Sequence, residues 1–417
     1  MMKNARILLL LLCCMLCLAS CASGTGIFSG GDWQAGGLQD KHIHTLTVDP
    51  NNPQNIYAGD TQQGVFASTD AGSHWSQYSI GLPLPLTVNA LAFDDPGKKL
   101  YAATSAGLYV SADGAAHWSA VPGLTPGAYT SIAFDLNNSQ VIYVSSSQHG
   151  LFISTDDGNS WKAINGGLPG GIIINSLTFD SQTHLLWAAT NAGIYRIASG
   201  GTNWQSFSTG LPTSTTIYTV LPADTYGGTN NLVFAGTNQG FYLSHDGGNH
   251  WTTSQEALSR VSIYTIILDV HQVSTVYIAT SGGALRSLDN GQTWGGIGPG
   301  LPQGQPVYYL IQGATNYSQL YAATNDVYLY PGTSTPFDLT HLLPLVLVAI
   351  FFYLLIRLTW DGGAGLIAIS SRNLPTREKN RVKQRKRKYL TNSRLMLTLT
   401  NANNVIGKVT SRSSPFV

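Results

Sequence analysis

The 417-residue chain carries five aspartates in a repeated setting, and clustered carboxylates can hold calcium or act as an acid–base pair. Asp70, Asp156, Asp246 and Asp289 each lie in a Ser-x-Asp-x-Gly-x-x-Trp run, ending at Trp75, Trp161, Trp251 and Trp294. Asp113 lies in a looser copy, Ser111 to Trp118, whose glycine comes one place early. A sixth copy, Ile197 to Trp204, has lost the aspartate. The spacing argues against shared chemistry. Successive tryptophans, from Trp75 through Trp118, Trp161, Trp204 and Trp251 to Trp294, are 43, 43, 43, 47 and 43 residues apart, so each aspartate belongs to its own structural unit. Within a unit the motif reads as a turn. The aspartate accepts backbone N–H groups a few residues on, the glycine permits a positive φ, and the tryptophan offers a large surface to pack between units. These five aspartates are expected to be structural.

Asp60 and Asp326 are placed differently. They fall on equivalent loops of the first and last units, which would be neighbours in a closed ring. Glycoside hydrolysis needs two carboxyl groups roughly 5 to 10 Å apart, so this pair is the catalytic candidate if the protein is an enzyme. The chain has no Ser-His-Asp order, phosphate loop, metal-ligand cluster or dinucleotide fingerprint, and neither metal nor cofactor is expected.

These residues must be positioned by strands. A period near 43 with short apolar runs between turns suits a four-stranded propeller blade. In the third unit, Ser131 to Asp135, Val141 to Ser145 and Leu151 to Ser154 read as three strands, and Trp161 opens a short outer one. Equivalent first strands begin near Thr45, Ala90, Ser176, Thr219, Thr265 and Tyr309, which makes seven units. A Gly-Leu-Pro exit recurs at Gly81, Gly167, Gly210 and Gly300. The seventh unit stops near Tyr330 without its motif, while Trp33 lies 42 residues before Trp75. The expected fold is therefore an all-β, seven-bladed propeller of four-stranded blades, its ring closed by an N-terminal strand that completes the last blade. The residue opening each first strand would line the mouth of the central channel: His44, Asn89, Thr130, Asn175, Tyr218, Tyr264 and Tyr308. Three tyrosines, a histidine and three small polar residues suit a peptide segment or a sugar, or simply a hydrated channel.

Charge and cysteine usage set the outer limits. Residues 22–335 hold 7 Lys/Arg against 18 Asp/Glu, and from 336 onward the balance is 13 against 3. An acidic body excludes nucleic acid as its expected ligand. All four cysteines, Cys13, Cys14, Cys17 and Cys21, lie in the first 21 residues, so the body has neither disulfide nor thiolate site. Lys3 and Arg6 precede an apolar run ending Leu18-Ala19-Ser20-Cys21, a secretory signal whose end resembles a bacterial lipobox with Cys21 as the lipidated residue. A second apolar stretch, Leu342 to Ile356 and extendable to Trp360, is close to the length of a membrane-spanning helix. The basic run Arg377 to Lys388 beyond it belongs in the cytoplasm by the positive-inside rule and would meet anionic lipid. The expected organisation is a signal and lipobox at 1–21, the propeller at 22–335, a transmembrane helix at 336–360 and a basic, mostly disordered cytoplasmic tail at 361–417. The propeller would then sit on the extracytoplasmic face of the cytoplasmic membrane.

The repeated motif resembles the Asp-box (BNR) repeats of the sialidase-like propellers. Over about residues 27 to 332 the chain looks most like the photosystem II stability/assembly factor family, and Asp49 to Gly59 also resembles xyloglucan-active hydrolases and sortilin-type receptors. The predicted C-terminal helix and tail depart from the assembly-factor pattern. Sialidase activity is not implied, because that group uses an arginine triad with a tyrosine and a glutamate. This body has only Arg196, Arg260 and Arg286, with Glu256 its sole glutamate. The expected function is a membrane-anchored, non-catalytic scaffold binding a membrane or envelope protein, with a glycoside hydrolase or carbohydrate-binding propeller as the alternative.

Overall fold

The computed structural model describes residues 31–94, 97–223, 231–253, 258–269, 271–272, 274–313 and 319–332. The signal and lipobox with Cys21, the predicted membrane helix, the basic tail and Glu256 lie outside the described residues. Among the described residues no helix is long and apolar enough to cross a membrane.

The described chain forms seven antiparallel four-stranded sheets, a seven-bladed propeller. The first blade runs Ile43–Val48, Ile56–Asp60, Val65–Ser68 and Ser76–Gln77 from inside to outside. The second has Val88–Phe93, Leu100–Thr104, Gly107–Ser111 and Ser119–Ala120, and the third Tyr129–Phe134, Ile142–Ser146, Gly150–Ser154 and Lys162–Ala163. The fourth to sixth repeat the order, opening on the inner strands Ile174–Asp180, Ile217–Pro222 and Ile263–Leu268. The seventh has Tyr309–Gln312, Leu320–Ala323 and Val327–Tyr330, with Gln34–Ala35 paired antiparallel to the last of these. Each inner strand packs on the next, and Tyr309–Gln312 lies against Ile43–Val48 of the first blade. Second strands are buried along their length, as Val276–Thr280 and Leu100–Thr104 show, because neighbouring blades cover both their faces.

The repeated motif makes the turn expected of it and also joins blades. In the first blade the Ser68 hydroxyl donates to Asp70 Oδ1 (2.8 Å), and the Gly72 N–H donates to Ser68 Oγ (2.8 Å). Asp70 Oδ1 accepts the His74 N–H at 2.8 Å. The turn needs two successive positive φ values, 57° at Ala71 and 87° at Gly72. In the looser copy the early Gly114 takes the first (69°) and Ala115 is forced into the second (68°). The degenerate copy on the fourth blade is tied to its neighbour instead. Ser199, where aspartate is lost, donates to Asp135 Oδ2 of the third blade at 2.6 Å.

The tryptophans divide into two classes. Those of Trp75, Trp161 and Trp294 donate Nε1–H to the carbonyl of their own motif glycine. Trp118, Trp204 and Trp251 are at most 4% exposed and donate instead to the preceding blade, at Tyr78, Ile164 and Phe207. Trp33 behaves as a fourth member of the second class, donating to Ile297 O. Each of these four lies against the Gly-Leu-Pro exit of the preceding blade. A Cβ at Gly81, Gly167, Gly210 or Gly300 would collide with the carbonyl oxygen of Trp118, Trp204, Trp251 or Trp33. The Gly-Leu-Pro exit thus marks the blades whose successor buries its tryptophan in the junction.

Candidate functional site

Six of the seven predicted channel residues occupy one backbone feature. The pairing of each inner strand slips by one residue between Ile43 and Thr45, Val88 and Ala90, Tyr129 and Ser131, Ile174 and Ser176, Ile217 and Thr219, and Ile263 and Thr265. The residues skipped are His44, Asn89, Thr130, Asn175, Tyr218 and Tyr264. A β-bulge re-aims the extra side chain, so the bulge gives these six one common placement at the start of the inner strand. Tyr308 reaches the equivalent place just before its strand, where its N–H donates to Ala323 O at 2.9 Å.

The seven residues do two different jobs. On the second to fourth blades the side chains stitch blades together. Asn89 Nδ2 donates to Tyr129 O (2.8 Å), Thr130 Oγ1 to Ile174 O (2.7 Å) and Asn175 Nδ2 to Ile217 O (2.7 Å), each acceptor lying on the next blade. On the fifth, sixth, seventh and first blades the link is aromatic. Tyr218 and Tyr264 have ring centroids 5.3 Å apart, Tyr264 and Tyr308 5.6 Å, and Tyr308 and His44 4.9 Å with a 16° interplanar angle. Such contacts contribute about 0.5–1.5 kcal/mol each beyond area burial. Among the described residues none of the three tyrosine hydroxyls has a hydrogen-bond partner, and the rings are only half-buried. The polar half is bonded to backbone of the next blade, whereas the aromatic half is linked through its rings.

Burial lowers the pKa of the His44 imidazole. The Asp60 charge pulls the other way and His42 adds to the lowering. Two positioning residues have no signal in the sequence. Thr265 Oγ1 donates to Tyr308 O at 3.0 Å, and His42 Nδ1 meets Asn325 Oδ1 at 3.0 Å where the first and last blades join.

The two predicted catalytic carboxylates are turned to the backbone. Asp60 is 2% exposed and accepts three N–H groups, from His42 (2.9 Å), Gln62 (2.7 Å) and Gln63 (2.6 Å). Asp326 is 4% exposed, and its Oδ1 accepts the N–H groups of Leu38 and Val327, both at 2.7 Å. Its Oδ2 is buried without a partner, and desolvation raises its pKa against those backbone bonds. Both carboxyls are buried and hold loop backbone. The five motif aspartates, Asp70, Asp113, Asp156, Asp246 and Asp289, stay in their separate turns, and no group of three metal-ligating side chains occurs among the described residues. Arg196 stacks 3.4 Å from the Phe207 centroid and donates to Gly247 O, engaged in packing the fourth blade. Arg260 is exposed on the loop before Tyr264.

No curated protein matches the chain in sequence. The propeller superposes on YCF48 from Cyanidioschyzon merolae with a TM-score of 0.55 at 16% identity, covering 72% of this chain and 98% of that one. A structure of YCF48 bound to D1 peptide gives 0.56 at 17% identity, with 73% and 98% covered. An ancestral GH74 enzyme gives 0.57 at 17% identity, but the 72% of this chain that aligns spans only 46% of the enzyme. At these identities the likeness is one of fold. The sequence model of the photosynthesis system II assembly factor YCF48 family matches residues 29–289, more than half of the chain, and the chain belongs to that family.

Proposed function

We propose that this protein is a non-catalytic scaffold that holds an extended peptide segment of a protein partner against the aromatic half of its channel mouth. The observation that carries this reading is the row Tyr218–Tyr264–Tyr308–His44, with unspent hydroxyls beside a polar half already bonded to backbone. Tyrosine rings give contact area at low entropic cost, and phenolic hydroxyls can bond a peptide's carbonyls. That YCF48 has been seen bound to D1 peptide supports a peptide as ligand. Crosslinking in native membranes, comparing wild type with a Tyr218/Tyr264/Tyr308→Ala triple variant, tests it: a partner lost with the rings supports the reading, and one retained refutes it.

A carbohydrate ligand or glycosidase activity is the second reading, favoured by the fold shared with a GH74 enzyme and by rings able to stack on sugars. Hydrolysis of polysaccharide by the protein, abolished by Asp60→Asn or Asp326→Asn, would establish it.

The partner is in turn a membrane or envelope protein. We infer a propeller on the extracytoplasmic face, tethered by lipidated Cys21 and the 342–358 helix, with the basic tail cytoplasmic on anionic lipid. In the same reading the N-terminal strand closes the ring, supported by the Gln34–Ala35 pairing and the Trp33 and Leu38 hydrogen bonds. Protease added to intact cells should destroy the propeller and spare the tail. Survival of the propeller would overturn the topology.

A further inference from the structure

A cavity of about 430 Å³ lies on the outer edge of the propeller, where the second blade meets the turn of the third. The channel mouth plays no part in it. Its walls carry one ion pair and one histidine–carboxylate hydrogen bond. Lys99 Nζ meets Asp157 Oδ2 at 2.5 Å across the blade junction, and His117 Nδ1 meets Asp113 Oδ2 at 2.8 Å. The lining also includes an apolar strip, Val110, Val121 and Pro122. All four of these side chains keep a third or more of their surface exposed, so they are available to a ligand.

The balance of charges selects the ligand. An anion such as a phosphate would be repelled by two carboxylates, and a cation by the Lys99 ammonium. A neutral group with both donors and acceptors breaks neither pair. The lysine ammonium has further protons to give, and the carboxylates have further lone pairs. With Nδ1 turned to Asp113, His117 keeps Nε2 for a ligand. Hydroxyls on a ring match such a mixed surface, and the C–H face of that ring matches the apolar strip. The volume lies within the range of small-ligand sites. We infer that this cavity binds a neutral saccharide, one or two rings in size, independently of the channel mouth.

Saturation-transfer NMR on the full chain, in a non-glycosidic detergent, with a panel of neutral mono- and disaccharides tests this. Asn159→Trp and Ser119→Trp place a bulky ring at the cavity from exposed positions, and unchanged melting temperatures would show both variants folded. The expected result is saturable binding of at least one sugar. Affinity should fall tenfold or more in both tryptophan variants and stay unchanged in Tyr264→Ala. Absence of binding across the panel, or equal affinity in the folded tryptophan variants, would overturn the assignment. So would tighter binding of a hexose phosphate than of the hexose.

Discussion

The His44 imidazole stacks on the Tyr308 ring at 4.9 Å and 16°, a contact between the first blade and the last. The same step, from one inner strand to the next, is made by a side-chain amide or hydroxyl on the second to fourth blades. One position in the repeat thus serves two ends, cohesion on one half of the ring and ring surface on the other.

That division predicts opposite phenotypes. Asn175→Ala removes a donor to Ile217 O and should cost about 1 kcal/mol of stability while leaving partner affinity within twofold. Tyr264→Ala should weaken partner binding at least tenfold, about 1.4 kcal/mol. Unfolding curves and a binding titration on both variants check the pair.

The Gly-Leu-Pro exits should be intolerant of a side chain. Gly210 has φ of 95°, and its Cβ would strike the Trp251 carbonyl, whereas Gly171 at 73° has nothing within 4 Å. Gly171→Ala should cost about 1 kcal/mol from backbone conformation alone. Gly210→Ala should cost at least about 2 kcal/mol more, because Trp251 must shift from its junction. Denaturant melts of the two variants give the difference directly.

The motif aspartates predict a defined acid transition. The His74 ring and N–H hold the Asp70 carboxyl at about 2, the His117 N–H and ring do the same for Asp113, and the Ser160 hydroxyl and N–H for Asp156. A carboxyl with its folded pKa depressed stabilises the fold above its unfolded value near 3.8, and that stability is lost as pH falls toward 2. The melting temperature of wild type should exceed that of Asp70→Asn at pH 7, with the gap closing between about pH 4 and pH 2.

Asp326 should show the reverse sign. Burial raises its pKa, so the folded state disfavours its charge and the wild type loses stability as pH rises from about 4. Asp326→Asn keeps an acceptor for Leu38 and Val327 without that charge. Its melting temperature relative to wild type should therefore move upward between pH 4 and pH 7. A constant offset would mean that the carboxyl is not strained by burial.

Much of this architecture is legible in the residues themselves. The tryptophan ruler marks the blades, and Trp33, 42 residues before Trp75, announces a junction partner for Ile297. Gly-Leu-Pro even foretells which tryptophans bury themselves in a junction. The site is less legible because its logic is relational. Nothing in the types of Asn89, Thr130 and Asn175 says that a carbonyl of the next blade waits within 2.8 Å. Nor do the types of Asp60 and Asp326 announce the three amides around Asp60 or the buried Oδ2 of Asp326. The bulge that gives six channel residues one placement arises from pairing between strands, which composition does not encode.

The central claim is that a partner lies on the aromatic half of the mouth. A photo-crosslinking amino acid placed at Tyr218 in one strain and at Thr130 in another, irradiated in native membranes, tests it most directly. The account predicts a protein adduct at position 218, with the crosslinked peptide drawn from one segment of one partner, and none at position 130. Equal adducts at both positions, or an adduct at 130 alone, would contradict it.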